Sequence, residues 1–135
     1  MKEKYKVISK EANKWNGTNY YIDPKSIDFK NVSDALIICN DNNIVQAVIL
    51  VMSKNNFNEL FGMLSEKYTL KEKNIPFVGN KKAIFVDDDC TITLDSPHLN
   101  FDMKLMYITN EFYNKYLDKL QQKEQLEKEK KKNLL

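Results

Sequence analysis

The chain has 135 residues, of which 42% are hydrophobic and 30% charged, a balance that suits one soluble globular domain with enough chain to bury a core. Formal net charge is +2, and residues 121–135, with five Lys and three Glu, supply the whole excess. The neutral body therefore sets up no strong field to recruit nucleic acid or an anionic membrane.

All 21 basic residues are Lys, and Asn occurs 16 times, the codon preference of an AT-rich genome. Without a guanidinium fork there is no bidentate clamp for phosphate, carboxylate or guanine, which argues against phosphoryl transfer and specific DNA readout. Met1-Lys2-Glu3-Lys4 leads into a strand and not into an apolar leader. The expected location is cytoplasmic, or else the chain is an exported one written without its signal peptide.

Tyr5 to Ile8 reads as a short strand. Trp15 stands before Asn16-Gly17-Thr18-Asn19, a turn in which Asn-Gly takes positive φ with ease. There it serves either as a plug for the end of a core or as an exposed anchor for a partner. Tyr20 to Ile22 forms a strand ended by Asp23-Pro24, and Ile27 and Phe29 alternate with polar residues as along an edge. Ala35 to Cys39 is a compact apolar strand, which Asn40-Asp41-Asn42-Asn43 turns back into the next one.

That next strand, Ile44 to Met52, is apolar on both alternating faces and interrupted only by Gln46, the pattern of a central strand covered on both sides. It is too short for a membrane span, which needs about 20 apolar residues. An amphipathic helix follows, with Phe57, Leu60, Phe61, Leu64 and Tyr68 on one face. Asn56 is the expected N-cap, with Glu59 three residues on completing a capping box. Gly62 inside the helix costs about 1 kcal/mol against Ala, which close packing on the sheet would explain.

Leu70 to Lys82 reads as a long loop with Pro76 and Gly79, and loops of this length in small domains tend to be functional or mobile. Within it, Ile75-Pro76-Phe77-Val78 is apolar enough to pack down or to bind. Ala83–Val86 and Cys90–Leu94 form a hairpin around Asp87-Asp88-Asp89, with Phe85 opposite Ile92 and Ala83 opposite Leu94. The three aspartates lack the ligand spacing of a calcium loop. After Asp95-Ser96-Pro97, an alternation of Leu99, Phe101, Met103, Leu105 and Tyr107 marks a strand with one buried face. Thr109 or Asn110 caps a last helix whose stripe is Phe112, Tyr113, Tyr116, Leu117 and Leu120. Beyond it QQKEQLEKEKKKNLL is nearly all polar.

No motif carries identifiable chemistry. His98 is the one histidine, so any Ser-His-Asp or Cys-His constellation must use it, with Ser96, Asp95 and Asp102 near in sequence. Cys39 and Cys90, each at a predicted strand end beside a turn, form no CxxC and are read as two reduced thiols in preference to a disulfide; no metal-ligand spacing and no cofactor fingerprint is present. The succession of a helix ending Glu-Lys-Tyr at 66–68, an Ile-Phe-Val … Ile-Thr-Leu hairpin, a strand ending Met-Tyr-Ile-Thr and a charged helix resembles small bacterial or phage-encoded α+β modules.

The expected fold is α+β: a mainly antiparallel sheet of about five to seven strands with two amphipathic helices, in the order β-β-β-β-α-β-β-β-α. Residues 1–120 form one domain, and 121–135 form a Lys/Glu-rich tail. The expected function is non-catalytic binding of a protein partner through Trp15, Ile75, Phe77, Tyr113 and Tyr116, with a homodimer as one form of assembly. The alternatives are sequence-independent nucleic-acid binding by the tail, which its interleaved Glu and lack of aromatics disfavour, and an enzyme using His98.

Overall fold

The structure, a computed structural model, describes residues 5–14, 16–115, 126, 127 and 130. Eight antiparallel strands form one sheet: β1 (Val7–Ala12), β2 (Thr18–Ile22), β3 (Val32–Cys39), β4 (Val45–Ser53), β5 (Thr69–Asn74), β6 (Lys81–Val86), β7 (Cys90–Ser96) and β8 (Asp102–Thr109). Helix α1 (Phe57–Lys67) joins β4 to β5, and a second helix, α2, begins at 110 and is described to 115. Among the described residues, no helix is long and apolar enough to cross a membrane.

The strand order is β1-β2-β3-β4-β8-β7-β6-β5. Each half is a four-strand meander followed by a helix, and β4 and β8 meet in antiparallel register at the centre, with Leu50 opposite Leu105 and Met52 opposite Met103. The expected centrality of the Ile44–Met52 strand holds, although the strand begins at Val45 and Ile44 stays exposed. The expected hairpin register also holds, with Phe85 opposite Ile92 and Ala83 opposite Leu94.

One face of the sheet, here the inner face, carries α1. Phe57, Leu60 and Leu64 recur at helical spacing and sink onto Met52, Ala83, Phe85, Ile92, Leu94, Met103 and Leu105, all buried. Burying each of these three large side chains contributes about 1.5–3 kcal/mol. Phe61 stacks on Phe57 at 6.1 Å and tilts against Phe85 at 5.8 Å. On the outer face, Phe112 from α2 closes a smaller cluster with Ile38 and Ala47. Each helix thus covers part of one side of β4, burying Met52 and Ala47, while the rest of the strand is half-buried.

Four expectations need correction. The strands number eight, not five to seven, because residues 70–74 of the expected loop, with Thr69 before them, form β5. Every residue of that strand is exposed and the sequence TLKEKN is charged, so an edge strand carries no apolar period to reveal it. Ile27 and Phe29 are not in a strand; Asp23 instead caps a 3-10 turn at Pro24–Ser26, its side chain accepting from the Lys25 amide. Asn56 stands at the helix N-cap without a capping bond. It is buried, and its Nδ2 donates to the Lys30 carbonyl at 2.8 Å while Ser53 caps the preceding 3-10 turn. Gly62 is not there for close packing, since a Cβ built on it meets nothing within 4 Å.

Gly17 is the opposite case. A Cβ there falls 1.9 Å from the Cys39 carbonyl oxygen, so only glycine lets the β1–β2 turn lie against the end of β3. Asn13 fastens the same approach, its Nδ2 donating to that carbonyl and its Oδ1 accepting the Gly17 amide. In urea unfolding, Gly62→Ala is expected to raise stability by about 1 kcal/mol. Gly17→Ala is expected to lower it by about 1–3 kcal/mol or more, because backbone must move.

Candidate functional site

Two loops close one end of the sheet beside the start of α1. The β5–β6 loop spans 75–80, and the β7–β8 turn spans 97–101. They are tied to each other and to the helix. The His98 amide donates to Asn80 Oδ1 at 2.6 Å, and the Lys54 amide donates to the Phe101 carbonyl at 3.0 Å. Asn100 Oδ1 accepts the Asp102 amide at 3.1 Å, an Asx turn that starts β8. Gly79, at φ 129°, supplies a backbone conformation that side chains rarely allow.

These braces hold large apolar side chains out in solvent. Phe77 is fully exposed, Val78 is 69% exposed, Leu99 88% and Phe101 85%. Leu99 also has φ 63°, a region a bulky residue enters only under constraint. Between the loops and the helix lies a cleft of about 420 Å³, lined by Lys54, Asn55, Phe57 and Asn58 on one side and by Phe77–Gly79, Lys81 and Ser96–Leu99 on the other. Its charged side chains are lysines: Lys81 Nζ lies 5.5 Å from the Phe57 ring centre, and Lys54 Nζ lies 5.9 Å from that of Phe101. Among the described residues, no carboxylate and no thiol lines it.

A second concavity lies on the inner face where α1 does not reach. It is an apolar groove of about 260 Å³ lined by Tyr5, Ile22, Ile27, Ala35, Ile37, Val48, Leu50 and Tyr107, continued toward Cys39 and Val45 by a smaller hollow of about 90 Å³. Tyr107 meets Tyr68 edge-on at 6.3 Å. Burial, with the adjacent Tyr68 phenol and a hydrogen bond to it, pushes the Tyr107 hydroxyl up to about 12.

His98 is exposed on the β7–β8 turn, and the cleft sets Ser96 near it in the lining but no carboxylate. Cys39 is buried and Cys90 half-buried, with the Cys90 thiol raised by burial and by Asp87 and Asp89. No group of three His, Cys, Asp or Glu among the described residues could hold a metal ion.

Of the residues expected to bind, Trp15 and Tyr116 lie outside the described residues. Ile75 and Phe77 are exposed on the braced loop, as is Tyr113 on α2. They do not form one surface. The Asn110 amide bonds Asp89 at the far end of β8, so the eight residues of that strand, about 25 Å, separate Tyr113 from Phe77. Val78 belongs to the Ile75–Val78 stretch expected to pack or bind, whereas nothing in the sequence pattern singles out Lys54, Lys81, Leu99 and Phe101 for binding. The sequence alternation carries Leu99 and Phe101 into β8, whereas the strand starts only at Asp102; Pro97 and Asn100 are the signs of a turn there.

Compared with protein-family models, with curated proteins and with solved structures, the chain matches none.

Tyr107 gives the inner groove a measurable signature. Its neutral phenol is favoured in the folded state, so that stability is complete below pH 10.0 and is lost as pH rises through about 12. Chemical denaturation across this range is expected to show the decline, and Tyr107→Phe is expected to flatten it.

Proposed function

We propose that the protein is a small non-catalytic binding protein whose working surface is the braced end of the sheet. The observation that carries this reading is the exposure of Phe77, Val78, Leu99 and Phe101 together on two cross-tied loops. Large apolar side chains cost solubility when exposed as a group, and such a patch marks an interaction site. Their fixed presentation adds to the argument: Leu99 is held in the left-handed region by a turn whose neighbours are hydrogen-bonded into place. Preorganised contacts lose little freedom on binding.

The chemistry of the cleft agrees with recognition in preference to reaction. His98 has no carboxylate partner in the lining to orient it as a base, the relation a nucleophile-activating histidine requires. Lysines beside apolar rings instead suit a ligand that is anionic at one end and apolar at the other.

An anionic apolar dye, anilinonaphthalene sulfonate, tests the reading. The folded wild-type chain is expected to bind it with enhanced fluorescence, and Phe77→Ser combined with Leu99→Ser is expected to abolish most of that signal. Both positions are exposed, so circular dichroism and melting should be unchanged. Undiminished dye binding in the double variant would move the site to the groove beside Tyr107 and overturn the assignment.

A further inference from the structure

We propose that the braced end docks on the surface of an anionic lipid bilayer, Phe77, Val78, Leu99 and Phe101 entering the boundary between headgroups and acyl chains while Lys54 and Lys81 meet lipid phosphates. The inference rests on the reading of this end as the binding surface and names what it binds.

Shape is the first argument. The four side chains protrude from loop tips, Phe77 with its whole surface in solvent. A protein partner needs a separate socket for each protruding residue, whereas a fluid interface closes around protrusions of any spacing. Phe and Leu beside Lys is also the composition of surfaces that lie in the headgroup boundary.

Charge complementarity is the second. Among the described residues, the cleft behind the tips is lined by Lys54, Lys81 and His98 with no carboxylate, and neither lysine has an ion-pair partner. Nearby acids are occupied elsewhere or displaced. Glu59 pairs with Lys30 at 3.6 Å, and Asp95 stands between Lys82 and Lys104 in the cross-strand row of the outer face. Asp102, exposed after Phe101, has no ion pair among the described residues, and Glu72 and Asp95 line a separate hollow on the outer side of the same loops. The start of α1 opens onto the same cleft through Phe57 and Asn58, so the positive end of the helix dipole adds to the lysine charge. A neutral body does not oppose this, because the attraction acts locally within a Debye length.

Co-sedimentation of the full chain with vesicles tests it. With phosphatidylcholine vesicles containing phosphatidylserine, the wild type is expected to pellet, and to pellet less as salt is raised. Lys54→Gln with Lys81→Gln is expected to weaken binding about tenfold or more, from the attraction of each lysine to an anionic surface. Phe77→Ser with Leu99→Ser should abolish it, and Ile44→Ser, an exposed apolar loss in another turn, should leave it intact. Failure of the wild type to pellet, or equal pelleting by the tip variant, overturns the lipid proposal. If the tips still bind the dye in that case, the binding surface stands and its partner is another molecule; if dye binding is also insensitive to the tips, both readings fall.

Discussion

The antiparallel contact of β4 with β8 is the constraint on which the rest depends. Seven consecutive residue pairs, Ala47–Ser53 against Asp102–Ile108, fuse two four-strand meanders into one sheet. Because β4 is apolar on both faces, it sits in the middle, with a neighbour on each side and a helix contact on each face, at Met52 and at Ala47. That requirement places α1 on one face and the start of α2 on the other. It also puts the loop ends of β5–β6 and β7–β8 beside the start of α1, which is where the exposed apolar tips gather.

What the sequence made legible follows from periodicity. The β4 strand, the α1 stripe and the Phe85–Ile92 register could all be read, because each has a long apolar pattern and one competing structure to exclude. The edge strand β5 could not, since an exposed strand guarded by lysines reads the same as a polar loop. Leu99 and Phe101 show a subtler failure. Their spacing continues the alternation of Met103, Leu105 and Tyr107, so parity alone places them in the core. In the folded chain the backbone turns at Asn100 before the strand begins, and the same spacing carries them into solvent.

The two halves of the inner face differ for a reason that the topology exposes. Each meander is followed by a helix, but α1 lies across β6 and β7 while Phe112 leads α2 to the outer face. The inner surface of β2 and β3 thus lacks a counterpart to α1 among the described residues, and the apolar groove beside Tyr107 is what that asymmetry leaves. The tyrosine pair at its border closes the α1 core where the helix stops: Tyr68, directly after α1, turns its ring edge toward Tyr107.

The sheet is open, with β1 at one margin and β5 at the other. Both margins are exposed along nearly their whole length and carry Lys10 and Glu11 on one side, Lys71, Glu72 and Lys73 on the other. An open margin is a template for polymerisation, because its free amides and carbonyls can seed the strand of another molecule. Here any incoming strand must settle beside charged side chains and strip water from them before it gains a ladder of hydrogen bonds. Growth in the direction of the sheet is thereby opposed at both ends, and the molecule can present a sticky apolar tip to its surroundings without also offering a surface on which fibres start.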